Sequence, residues 1–176
     1  MKQDICIASD HIEVPTGEAK AASKGVLRVS ALGSCVAVAM YDPTAGVGGL
    51  AHVMLPGVSP DERSSQDTKY AESGIQELTR MATALGVQPE RLVACITGGG
   101  NVLERDDDTI CEANIRSVSR ALEESGIALV ASEVGGTRRR SASLDVGCGR
   151  VSCTVGDSGP MLLWEPGGKQ AGDNIS

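Results

Sequence analysis

Apolar and polar positions along the chain fall into short blocks whose period changes several times. Residues 8 to 24 are polar, with Pro15 and Gly17. Val26-Leu27-Arg28-Val29 begins a β-type run that resumes after Gly33 as Cys35 to Tyr41, a stretch apolar enough for a buried strand. Asp42-Pro43 with Gly46 is turn chemistry, because Asp suits the first position of a type I turn, Pro the second, and Gly a left-handed exit. Gly48 to Leu55 reads as the returning strand, stopped by Pro56. Residues 57 to 68 are polar and read as a surface loop. From Lys69 the apolar positions Tyr70, Ile75, Leu78, Met81 and Leu85 follow a period near 3.6, which predicts a helix with one face on the core and Gly86 as its C-terminal cap.

Leu92 to Ile96 is a short apolar run that enters a tight loop at Gly98-Gly99-Gly100. Thr109-x-x-Glu112 matches a capping box ahead of Ile115, Val118 and Leu122, so a second helix is expected, with Gly126 as its exit. The acidic run Asp106-Asp107-Asp108 falls at that helix's N-terminus, where the dipole favours anions. Ile127 to Val130 reads as another strand, Gly135 to Arg140 as a cationic loop, and Arg150 to Thr154 with Met161 to Trp164 as a terminal pair of strands. No internal repeat is visible. Residues 1 to 165 are expected to form one domain, and 166 to 176 a mobile polar tail. The predicted class is α/β: a layered, mixed but largely antiparallel β core flanked by two main helices.

Composition narrows the function. The chain has 176 residues, 22 of them Gly, with three aromatic rings and no Phe, so its core must be built from Val, Leu, Ile, Ala and Met. A net charge of −7 opposes nucleic-acid binding, which draws on Lys and Arg to neutralise phosphate. No stretch approaches the ~20 apolar residues that span a bilayer. The N-terminus lacks the apolar core of a signal peptide, so a cytoplasmic location is expected. The reducing cytosol then argues that Cys6, Cys35, Cys95, Cys111, Cys148 and Cys153 are free thiols. With no C-x-x-C pair and only His11 and His52 as co-ligands, neither a structural metal nor a thiol redox centre is expected. The triple glycine lacks the Gly-Lys-Ser/Thr of a phosphate loop.

One thiol has a partner within reach. If the strands on either side of Asp42-Pro43 form a hairpin, a pairing centred between Pro43 and Thr44 sets opposite each other residues whose numbers sum to 87, as Cys35 and His52 do. A four-residue loop at Pro43 to Gly46 shifts the sum to 89 and makes the two diagonal neighbours on the same face. Either register leaves their Cβ atoms about 5–8 Å apart. A thiol and an imidazole at that spacing suit nucleophilic acyl transfer, the thiolate attacking while the imidazole takes and returns a proton. Backbone N–H groups around Gly33-Ser34-Cys35 are candidates for an oxyanion hole. The competing reading is that Cys35 is a small buried hydrophobe and His52 a satisfied core residue. Cys95 and Cys111 lie in core-facing patterns, and Cys148 with Cys153 reads as turn and strand packing.

The runs Leu32-Gly33-Ser34-Cys35 through Pro43 and Gly48-Gly49-Leu50-Ala51-His52 through Pro56 resemble the signature of the CheD family, the chemoreceptor glutamine deamidases of bacterial and archaeal chemotaxis. Lys69-Tyr70-Ala71-Glu72, Ile96-Thr97-Gly98-Gly99-Gly100, Asn114 and Gly135-Gly136-Thr137-Arg138 match further family segments in order, over residues 26 to 155. The resemblance implies a layered fold shared with toxin deamidases and no cofactor. It implies Cys35 as nucleophile and His52 as base. The implied substrates are glutamines of methyl-accepting chemotaxis receptors, and some members also hydrolyse glutamyl methyl esters. It also implies a CheC-type phosphatase of phosphorylated CheY as a regulatory partner. The family's third catalytic member, a threonine that orients the histidine, falls at Val29, which has no hydroxyl. Ser30 would replace it only if a bulge shifts the register. A family Gly and Arg in the second helix appear here as Cys111 and Ala113. A weakly active or non-catalytic adaptor is the alternative this leaves open. Arg138 to Arg140 would either meet receptor carboxylates or form a solvated loop.

Overall fold

Apolar runs broken at Gly33, at Asp42-Pro43 and at Gly98 determine where strands stop. The computed structural model describes residues 10–61 and 67–168. Strands β1 His11–Glu13, β2 Ala19–Ala22, β3 Val26–Leu32, β4 Val36–Asp42 and β5 Val47–Val53 lead into helix α1, Ala71–Ala84. A 3₁₀ turn at Pro89–Arg91 and strand β6, Val93–Gly98, precede helix α2, Ile110–Glu124. Strands β7 Ala128–Val134, β8 Arg140–Asp145, β9 Arg150–Val155 and β10 Met161–Trp164 complete the order. One sheet runs β1-β3-β8-β9-β10 and the other β2-β5-β4-β6-β7. The pairings β1–β3 and β6–β7 are parallel and the rest antiparallel, the mixed and largely antiparallel core expected.

The three layers follow from side-chain parity. Strand β4 is buried along its whole length, so both of its faces must be covered. Val36, Val38 and Met40 meet Ile75, Leu78, Val118 and Leu122 of the two helices, while Ala37, Ala39 and Tyr41 meet Leu27, Val29, Leu144 and Val151 of the other sheet. The order is therefore helices, central sheet, outer sheet. Leu78 is fully buried, and a Cβ on Gly49 would collide with it, so glycine there lets α1 settle on β5. Burial of Leu78 or Ile75 contributes about 1.5–3 kcal/mol each.

Several expectations need correction. Residues 8 to 24 hold two short strands, β1 and β2, which pair with β3 and β5 through backbone groups that no side-chain pattern advertises. Strand β8 was not expected: Arg140 starts it, buried, instead of belonging to the cationic loop. Leu85, placed on the core face of the first helix, is 46% exposed because α1 has ended. Thr109 makes no side-chain cap bond; Asp108 Oδ1 instead accepts from the N–H groups of Ile110 and Cys111 at 2.9 and 3.2 Å. A carboxylate one residue earlier reaches the same orphan donors, so the acidic run supplies the cap. Cys6, part of the loop at 57 to 68, and most of the tail from 166 lie outside the described residues.

Candidate active site

The hairpin that carries Cys35 and His52 is set by its turn. Asp42 Oδ1 accepts from the N–H of Thr44 at 2.8 Å and of Ala45 at 3.1 Å, and the Gly46 N–H donates to the Asp42 carbonyl at 2.9 Å. Arg91 Nε holds the other carboxylate oxygen at 3.0 Å. The loop is therefore four residues long and Asp42 pairs with Val47, which puts Ala37 opposite His52 and Val36 opposite Val53. Residue numbers sum to 89, the second of the two expected registers. Cys35 stands one residue ahead of β4 and not within it, diagonal to His52. Both occupy the face turned toward the outer sheet: Cys35 packs on the cluster of Ala37, Leu50 and Val29, and His52 alternates with Leu50 on β5.

At this end the two strands part. The chain before Val36 turns to the glycine loop, where Gly99 N–H donates to the Cys35 carbonyl at 2.8 Å and Gly100 N–H to the Gly33 carbonyl at 2.9 Å. The chain after Val53 turns the other way, and the N–H groups of Met54 and Leu55 both donate to the Lys69 carbonyl. Asn114, fully buried on α2, spans the fork: its Nδ2 donates to the carbonyls of Ser34 and Met54, each at 2.9 Å. The carbonyls of Gly33, Ser34 and Cys35 are thus all held. By contrast, the N–H groups of Ser34 and Cys35 donate to no other residue among those described. Gly98 has φ +116°, and a Cβ there would collide with the Cys35 carbonyl oxygen. Only glycine lets the loop close on the nucleophile's backbone.

The electrostatics describe a resting pair. Burial pushes the Cys35 thiol up, partly offset by a hydrogen bond from its own N–H. Burial also pushes His52 down; a hydrogen bond between its ring and the Val14 backbone and the charge of Glu13 oppose that shift. Cys35 and His52 share no hydrogen bond among the described residues. His52 Nδ1 is buried and has no partner among the described residues. Val29 is fully buried in the layer between the sheets. A register shift does occur on β3: Val29 pairs with Ala142 and Leu32 with Arg140, with Ala31 at φ +55°. It spans Ser30 and Ala31 and turns Leu32 inward, and it leaves Ser30 exposed.

Cys95, Cys111 and Cys153 are buried and Cys148 is exposed in the turn before β9. Among the described residues no group of three potential ligands could hold a metal. The sequence reading did not connect three parts of this site. The triple glycine forms the expected tight loop and also grips the carbonyls around Cys35. Asn114 stands in a helix by sequence, and only the fold brings its amide to the fork. Arg140 anchors the second glycine loop, its guanidinium donating to the Gly135 and Arg138 carbonyls and to Glu133 Oε1. Nearby glycines and a helical Asn are visible in sequence, but their contacts lie 60 to 80 positions away.

The model of the family described as CheD chemotactic sensory transduction matches residues 54–155. The chain belongs to the CheD family. A probable chemoreceptor glutamine deamidase CheD of Chlorobium luteolum is 39% identical, over 88% of this chain and 78% of its own. The chemoreceptor glutamine deamidase CheD of Thermotoga maritima is 38% identical over 72% of this chain and 80% of its own. A probable CheD of Desulforamulus reducens is 35% identical over 85% and 95%. Among solved structures, Bacillus licheniformis YfiH aligns with 74% of this chain and 61% of its own at 15% identity and a TM-score of 0.41. The CheD family match spans both glycine loops and Asn114, while Cys35 and His52 precede it.

Proposed function

We propose that this CheD protein hydrolyses the side-chain amide of selected glutamines in chemoreceptors, with Cys35 as nucleophile and His52 as proton carrier. The observation that carries the reading is the backbone at Cys35, where three successive carbonyls are held and, among the described residues, the N–H groups of Ser34 and Cys35 donate to no other residue. That pattern suits a carbonyl oxygen gaining negative charge beside the attacking sulfur. The thiol gives its proton to neutral His52 and its sulfur bonds to the glutamine carboxamide carbon, forming a tetrahedral oxyanion. The C–N bond then breaks, and the nitrogen leaves as ammonia with the proton from His52, giving a thioester. Water adds to the thioester as His52 takes its proton, and the C–S bond breaks to release glutamate and the thiol. A glutamyl methyl ester would follow the same path with methanol leaving.

Low basicity of buried His52 fits a base that is neutral before substrate arrives, and apo contacts of this kind tighten in the substrate complex. The unpartnered Nδ1 supports a second reading, a weakly active adaptor that regulates a CheC-type phosphatase. Mass spectrometry of a chemoreceptor fragment separates them. The native protein is expected to convert glutamine to glutamate and Cys35→Ala to leave it unchanged. Conversion by both would remove Cys35 as nucleophile, and conversion by neither would leave the adaptor.

A further inference from the structure

We infer that Asn114 is a positioning residue for the deamidation, acting through the Ser34–Cys35 peptide. The inference rests on Cys35 being the nucleophile. A trans peptide is planar, so its C=O and N–H point in opposite directions, and no cis bond occurs among the described residues. By holding the Ser34 carbonyl at 2.9 Å, Asn114 fixes the direction of the Cys35 N–H, the one closest to the reacting sulfur. The same Nδ2 holds the Met54 carbonyl at 2.9 Å, two residues after His52. One buried amide thus ties together the two strands that carry the nucleophile and the base, at the fork where their own ladder has ended.

The position requires donors. Both hydrogen bonds leave from Nδ2, while Oδ1 is buried with no partner. Aspartate is almost isosteric, yet at neutral pH it would set a carboxylate against two carbonyl oxygens. Once protonated it can donate one hydrogen bond. A residue serving only to dock α2 would show its loss as a smaller folded fraction. A positioning residue shows it in turnover per folded molecule.

The test compares the native protein, Asn114→Asp, Asn114→Ala and Cys35→Ala on a receptor fragment, with activity divided by the folded fraction from circular dichroism. Asn114→Asp is expected to lower kcat at least about tenfold, toward the 10²–10³-fold that loss of an oxyanion donor costs, with KM within about threefold of native. Its activity should recover as the medium is acidified, whereas the native enzyme declines as His52 protonates. Asn114→Ala should lower kcat without the acid recovery, and it decides the matter if the Asp variant does not fold. Native kcat and pH profile per folded molecule in both variants, with Cys35→Ala inactive, would overturn the role of Asn114 alone. Activity surviving in Cys35→Ala would remove the nucleophile and this inference together.

Discussion

A buried polar atom left without a hydrogen bond costs about 1–3 kcal/mol, and His52 Nδ1 is such an atom. Val29 faces the same layer from the other sheet and has nearly the shape of threonine. Val29→Thr is therefore expected to hold or raise the thermal midpoint, since one new hydroxyl would satisfy one orphan nitrogen. If the hydroxyl does not reach the ring, stability should instead fall by about 1–3 kcal/mol. Ser30→Ala should leave the midpoint in place, because Ser30 is exposed. At this scale the parity of Cys35 and His52 was legible, because a period of two keeps both on one face in either register. The orphan nitrogen was not legible, since it depends on which sheet opposes the hairpin.

Elements were legible where side chains dictate them and hidden where the backbone does. The Asp42 turn, the apolar run of β4 and the spacing of Ile75 and Leu78 each declare their structure, and each formed. Strands β1 and β2 exist through ladder bonds to β3 and β5, and a strand of three or four residues leaves little trace in sequence. The cap of α2 shows a nearer ambiguity: two oxygen-bearing residues stood side by side, and the carboxylate of Asp108 made the bonds. Asp108→Ala should lower the thermal midpoint, and Thr109→Ala should leave it in place. Matching losses in a pair of melting curves would return the cap to Thr109.

On the scale of the whole molecule, the sequence shows six thiols without their depth, because depth depends on the stacking of helices, central sheet and outer sheet. Alternation within β4 implies burial on both faces, but nothing local says that β6 brings Cys95 into the inter-sheet core or that Cys153 of β9 is buried close to it. That stacking separates the thiols chemically. Burial pushes Cys95 up to about 12, with Cys153 beside it adding to the shift. Burial, together with the Asp108 carboxylate, pushes Cys111 up to about 11. A thiol held this high stays protonated, and the thiolate is the species that alkylates. Cys148 is exposed and Cys35 half-buried; burial raises both thiols, and at Cys35 its own N–H partly offsets that rise. Iodoacetamide at neutral pH, followed by peptide mass spectrometry of the folded protein, should therefore modify Cys148 and then Cys35, leaving Cys95, Cys111 and Cys153 untouched until denaturant is added. Raising the pH should leave Cys95 and Cys111 slow, because burial holds them up at about 12 and about 11. Labelling of Cys95 or Cys153 as fast as Cys35 in folded protein would mean that the two sheets do not close over a common core, and the setting argued for His52 would fall with them.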